Sequence, residues 1–150
     1  MSQVLVIKGE FFEGSDFKLL ARVVSHNRAV LTQGDCSASS TTATVNIYDL
    51  SGATPQTAIF TSTSLTSADL IQNTLLTSSS GWSQDSIGAN FLLVISTQAI
   101  GSQFTGKGVV WPSGHPVGGH RYRIEVLIPT TNYGIVPIVA ELTCRAVYSS

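Results

Sequence analysis

Three small groups of residues in this chain are of types that carry chemistry, and each stops short of a working set. The stretch Gly101-Ser102-Gln103-Phe104-Thr105-Gly106-Lys107-Gly108 follows the phosphate-cradling pattern of a P-loop up to its last position. There Gly108 replaces the hydroxyl that would hold magnesium, and Gly- and Pro-rich chain follows where a helix should open, so nucleotide binding is not expected. His115 and His120 flank Pro116-Val117-Gly118-Gly119, with His26 far upstream. Structural zinc wants four ligands, usually Cys or His, and the simpler reading of these histidines is exposed loop. Asp35, Asp49 and Asp85 would have to meet at one end of the fold to hold calcium, which takes six to eight oxygens. Each lies near Gly or Ser in a turn, where Asp commonly caps backbone instead. No metal and no cofactor is expected.

The remaining reactive types are equally sparse. No Ser sits in a nucleophile elbow, and the carboxylates Glu125 and Glu141 lie beside Arg123 and Arg145, where charge pairing across strands accounts for them. The expected pairs are Arg123 with Glu141 and, diagonally, Arg145 with Glu125. No catalytic residues are assigned, and the chain is not expected to be an enzyme. Cys36 and Cys144 read as two reduced thiols, with Cys144 a small hydrophobe on the dry face of a strand; a disulfide between them is the alternative. Trp82 and Trp111 both lie in loops. Trp82 is placed in the core, and Trp111 is placed at a protein interface with Phe11 and Phe12. A sugar-stacking platform built from the two indoles is the rival use.

The elements that must position these residues are strands. Tyr122, Ile124, Val126 and Ile128 share one parity and Arg123 and Glu125 the other. After Pro129 and the turn 130–134, Ile138, Ala140, Leu142, Cys144, Ala146 and Tyr148 alternate with Glu141, Thr143 and Arg145. Period-two alternation bracketed by Gly, Pro and Asn reads as an antiparallel hairpin with one dry face. Upstream, 17–24, 42–48 and 57–62 read as further strands. The run Phe91 to Ile95 is apolar on both parities, which predicts a central strand covered on both faces. Ser67 to Leu76 is read as at most a short helical turn, and Phe104 to Gly119 as a long exposed loop. About seven strands at roughly ten-residue spacing predict an all-β, antiparallel sandwich over residues 17–150. Its core is expected to hold Trp82, Phe91, Tyr122, Ile124, Val126, Leu142 and Cys144.

The first sixteen residues stand apart. Phe11 and Phe12 are adjacent, so an extended segment cannot bury both against one sheet. Gly9 and Gly14 bracket them, and an attachment arm outside the core is expected over Met1 to Gly14. An ordinary edge strand over Ser2 to Ile7 is the alternative.

Composition narrows the partners. The chain has 150 residues, 43% hydrophobic and only 11% charged, with 20 Ser, 16 Thr and a formal charge of −1. No basic stripe is present to follow a phosphate backbone, so nucleic acid is not an expected partner. The longest unbroken aliphatic or aromatic run, Phe91 to Ile95, is far too short to cross a bilayer. Met1 to Gly9 lacks a basic n-region, so a soluble product made in a cytoplasm is expected. A surface this poor in charge favours association with other proteins.

The order NTLLTSSSGWSQDSIGANF, then GGHRYRIEVLIPTTNYG and LTCRAVYSS, resembles a family of small Ig-like sandwich proteins from the structural gene clusters of tailed bacteriophages. The resemblance is carried by Trp82 and Asp85, by Gly88 with Asn90 and Phe91, and by Tyr122 with Arg123 and Glu125. ARVVSHNRAVLTQGDCSASSTTATVNIYDLSGATP looks like the first half of the same pattern. Ala89 stands where an aromatic is expected, and Phe104 to Gly119 looks like an enlarged loop. The resemblance implies a non-enzymatic virion component, assembled in the host cytoplasm. A capsid decoration (cement) protein is the foremost reading. It would bind the major capsid protein of the head and copies of itself as a homo-oligomer, for example a trimer. A tail, neck or baseplate attachment protein and a carbohydrate-binding module for host adsorption are the alternatives.

Overall fold

A computed structural model describes residues 6–24, 30–36, 42–77, 82, 84–97, 108–131 and 133–147. Among the described residues, nine strands and two short helical pieces follow one another. They are β1 (Val6–Phe12), β2 (Phe17–Ala21), a 3-10 turn (Gln33–Cys36), β3 (Thr44–Asp49), β4 (Ala58–Ser62), α1 (Ser67–Leu70), β5 (Ile71–Leu76), β6 (Ala89–Ser96), β7 (Gly108–Val110), β8 (Arg121–Pro129) and β9 (Ile135–Arg145). One sheet has the order β1-β9-β8-β3-β4 and the other β2-β6-β5, with β7 also on β6. The run β9-β8-β3-β4 facing β2-β6-β5 is the GFCC′ and BED arrangement of an Ig-like sandwich.

The alternation read in the last two strands sets the core. Tyr122, Ile124, Val126 and Ile128 of β8 and Ala140, Leu142 and Cys144 of β9 are buried between the sheets with Val45 and Ile47 of β3. The hairpin pairs Tyr122 with Leu142 and Ile124 with Ala140. Phe91, Leu93 and Ile95 of β6 close the core from the opposite sheet, and Leu92 and Val94 on their other parity are buried too. β6 is thus covered on both faces, as its unbroken apolar run predicts. Asn90, buried on that outer parity, donates to the carbonyls of Val23 and Leu31 and accepts from the Val23 amide at 2.6 Å. It thereby ties the Val23 and Leu31 backbone, which lies outside the named strands, to β6.

Three expectations change. The sheets are mixed, because β1 runs parallel to β9 and β7 parallel to β6. Residues 6–12, assigned to an arm, form the edge strand β1, in register from Val6 opposite Val139 to Phe12 opposite Arg145. The adjacency of Phe11 and Phe12 is resolved by parity: Phe11 is buried at 7% exposure and Phe12 is exposed at 61%. Residues 1–5 of the arm lie outside the described residues. Finally, the segment read as a long exposed loop carries β7 and the buried Trp111. Gly108 permits this, since a Cβ there would run into the Val94 backbone. The helical turn expected from Ser67 onward is a single turn, capped by Thr66 and Asp69, and it leads directly into β5.

Candidate functional site

The polar residues gather in two places. The first is the end of the sandwich where β3 stops and β8 begins. Tyr122, buried on β8, projects its hydroxyl toward the turn before it. There the hydroxyl accepts from the Val117 amide at 2.8 Å and lies 2.9 Å from His115 Nδ1. A tyrosine at the start of this strand, bonded to backbone a few residues upstream, is the tyrosine-corner device of Ig-like sandwiches. Burial pushes its pKa up to about 12, against the opposing effect of the Val117 amide. The hydroxyl is therefore a fixed hydrogen-bonding group rather than a base at neutral pH. Beside it, Asp49 is buried at the end of β3. Its carboxylate lies 2.9 Å from His120 Nδ1, accepts from the Ser51 amide at 3.0 Å, and is 3.9 Å from His115 Nδ1. Glu13 accepts from the Gly118 and Val147 amides, tying the start of the chain to both the turn and the end of β9.

This cluster holds structure together and leaves little to do chemistry with. The Nδ1 atoms of both histidines are engaged by Tyr122 and Asp49, and among the described residues no group of three or more His, Cys, Asp or Glu is arranged to hold a metal. The other proposed calcium ligands serve their own turns. Asp35 accepts from the Thr32 amide and hydroxyl, and Asp85 from the Ile87 and Gly88 amides. His26 and residues 101–107 of the P-loop-like stretch lie outside the described residues. Cys36 and Cys144 are both free and buried, and burial raises each thiol to about 11.

Neither indole takes the place assigned to it. Trp111, placed at an interface, lies in the core at 5% exposure. It is stacked on Phe11 at 5.7 Å between ring centroids and edge-on to Tyr122 at 4.9 Å. Trp82, placed in the core, is half-buried over a loop, and its Nε1 donates to Asp85 at 2.9 Å. Asp85 also meets Arg22 Nη1 at 2.5 Å. The Trp82 indole, then the Gly88 amide, with Arg22 adding to them, hold the Asp85 carboxyl well below its ordinary range. Phe91, Tyr122, Ile124, Val126, Leu142 and Cys144 are in the core. With Trp111 enclosed, a sugar platform made of two indoles is not presented.

Family models, curated proteins and solved structures offer no match to the chain.

The second polar region is the outer face of the five-stranded sheet. The outward parities of β1, β9 and β8 bring Lys8, Glu10, Glu141, Arg145, Arg121, Arg123 and Glu125 onto one surface. Arg123 stands directly opposite Glu141 and reaches it at 3.6 Å, as the hairpin pattern predicts. Glu125 differs from expectation: it pairs with Arg123 on its own strand at 3.0 Å, while Arg145 turns to Glu10 on β1 at 2.7 Å. Lys8 and Arg121 each lie 3.3 Å from Glu141. Arg145 lowers the Glu10 pKa, and Glu10 raises that of Arg145. Lys8, Gly9, Glu10, Arg121, Glu141 and Thr143 line a shallow depression on this face. Lys8 and Glu10 escaped the sequence reading, although they alternate with Ile7, Gly9 and Phe11 in the same period of two that revealed the hairpin.

Proposed function

We propose that this chain is a non-enzymatic virion structural protein, a capsid decoration protein that binds the major capsid protein of a tailed-phage head together with neighbouring copies of itself. The observation that supports this reading most is the division of the surface. An Ig-like sandwich gathers seven of its ionic side chains on one sheet face and carries an exposed Phe12 at the adjoining edge. The polar groups at the Tyr122 end are spent on holding the fold. A surface of opposite charges beside an isolated aromatic anchor suits a protein partner. The motif resemblance at Trp82, Asp85, Asn90, Phe91 and Tyr122 points to the same class. Many copies, each with a modest interface, would stabilise a shell by linking its neighbours.

The test is to add purified protein to heads that lack it, then measure bound copies and resistance of the shell to heating. A copy number that follows the number of capsomers, with a higher disruption temperature, supports decoration. A single ring's worth of copies at one vertex or on tails points to a neck or tail attachment protein. No binding to any part of the particle overturns the reading.

A further inference from the structure

The β1 edge is built to pair with itself. We infer that two copies of this chain associate through β1, antiparallel about a two-fold axis at Gly9, joining their five-stranded sheets into one. The inference is independent of the virion reading, since a sandwich that binds no shell can still pair.

Among the described residues β1 ends its sheet, with β9 on one side only. The Glu13 amide donates to the Arg145 carbonyl, so along this strand odd-numbered backbone groups face β9. Alternation turns the N–H and C=O groups of Val6, Lys8 and Glu10, and the Phe12 N–H, toward the open edge. The Phe12 carbonyl is taken by Ser15. The same even-numbered residues put their side chains on the outer face, where the Lys8 and Glu10 side chains are 67% and 57% exposed.

Along the outer face the order is Val6, Lys8, Glu10, Phe12: apolar, positive, negative, apolar. Reversed against itself with Gly9 opposite Gly9, it sets Lys8 against Glu10 of the second copy, Glu10 against its Lys8, and Val6 against its Phe12. Lys8 and Glu10 face the open edge with their backbone groups, so each such pair exchanges two hydrogen bonds. Gly9 falls at a close, non-bonded position, where strands approach most nearly. Other registers fail. A shift of two residues opposes Lys8 to Lys8 or Glu10 to Glu10, and a shift of one sets outward-facing backbone against inward-facing backbone. A lysine on an exposed edge commonly discourages pairing. Here Lys8 comes with Glu10, so the two charges reject wrong registers and favour one. The pairing also lengthens the existing ion network. Arg145 and Glu10 of one copy continue into Lys8 and Glu141 of the other, signs alternating throughout.

The experiment follows the mass of the full-length chain by sedimentation over a concentration series, for the parent, Lys8→Glu and Glu10→Lys. The parent is expected to reach a dimer. Each variant places like charges opposite one another and should dimerise at least about tenfold more weakly. An equimolar mixture of the two variants restores opposite charges at both positions and should recover a heterodimer. Amide exchange on the parent serves if a variant fails to fold: the Lys8 and Glu10 amides should gain protection as concentration rises. The inference is overturned by a parent that stays monomeric, which would leave the edge to a foreign strand. It is equally overturned by variants that dimerise as the parent does, by a mixture that does not associate, or by Lys8 and Glu10 amides that stay open in the dimer.

Discussion

Replacing Tyr122 with Phe keeps the buried ring and removes one oxygen, so its effect isolates the hydrogen bonds of the corner. In the parent the hydroxyl accepts from the Val117 amide at 2.8 Å and contacts His115 Nδ1 at 2.9 Å. The ring is fully buried, and the variant opens no cavity beyond the lost oxygen. The cost is therefore that of leaving a polar partner unmade, about 1–3 kcal/mol. For a chain of this size this corresponds to a fall in Tm of roughly 3–9 °C. Urea unfolding should show a lower midpoint at unchanged slope, because the surface exposed on unfolding is the same. A second readout comes from pH. The Tyr122 pKa is raised from 10.0 to about 12, so the stability it contributes is complete below pH 10 and lost as pH rises toward 12. The parent should lose stability over that window more steeply than the variant. A variant melting within about 1 °C of the parent, with the same alkaline profile, would refute the corner as a stabilising device.

Two further predictions concern neighbouring parts of the fold. Phe11→Ala should cost about 3–5 kcal/mol in chemical denaturation, since it empties a site stacked on Trp111, whereas Phe12→Ala should stay within about 0.5 kcal/mol; equal costs would disprove the parity assigned to β1. Asp85 has its carboxyl held low by Trp82, Gly88 and Arg22, so its contribution is present above the ordinary carboxylate range and lost only as pH falls through the depressed value. Trp82 fluorescence should accordingly hold steady through mildly acid pH and change at strongly acid pH, and Asp85→Asn should abolish that step; identical titrations of parent and variant would exclude the contact.

What was legible in the sequence was whatever repeats with a short period. The alternation of Tyr122, Ile124 and Val126 against Arg123 and Glu125 announces both a strand and its dry face. The apolar run at Phe91 announces burial on both sides. Arg123 and Glu141 could be paired because a hairpin turn fixes the register between them. The failures share a cause in distance along the chain. β1 finds its partner in β9, and Lys8 meets Glu141 across 133 positions, which no local pattern encodes. Asp49 and His120 are 71 positions apart and lie in segments that look like ordinary turns. The indoles were misassigned because a Trp in a loop carries no periodicity: what decides Trp111 is the parallel pairing of β7, and that rests on the missing side chain of Gly108.

The parallel pairing of β1 with β9 also bears on the order of assembly. In the first sheet β3, β4, β8 and β9 meet antiparallel neighbours, with hairpins joining β3 to β4 and β8 to β9. Among the described residues β1 pairs only with β9, so closing that contact means ordering a loop of nearly the whole described chain. Contacts of such separation slow folding. β1 is synthesised before β9 and must therefore wait for it, and until the sheets close Phe11 lacks Trp111 and Tyr122 as aromatic neighbours. Synthesis and folding are thus offset in time, and for that interval the growing polypeptide exposes an aromatic segment of the kind that molecular chaperones retain.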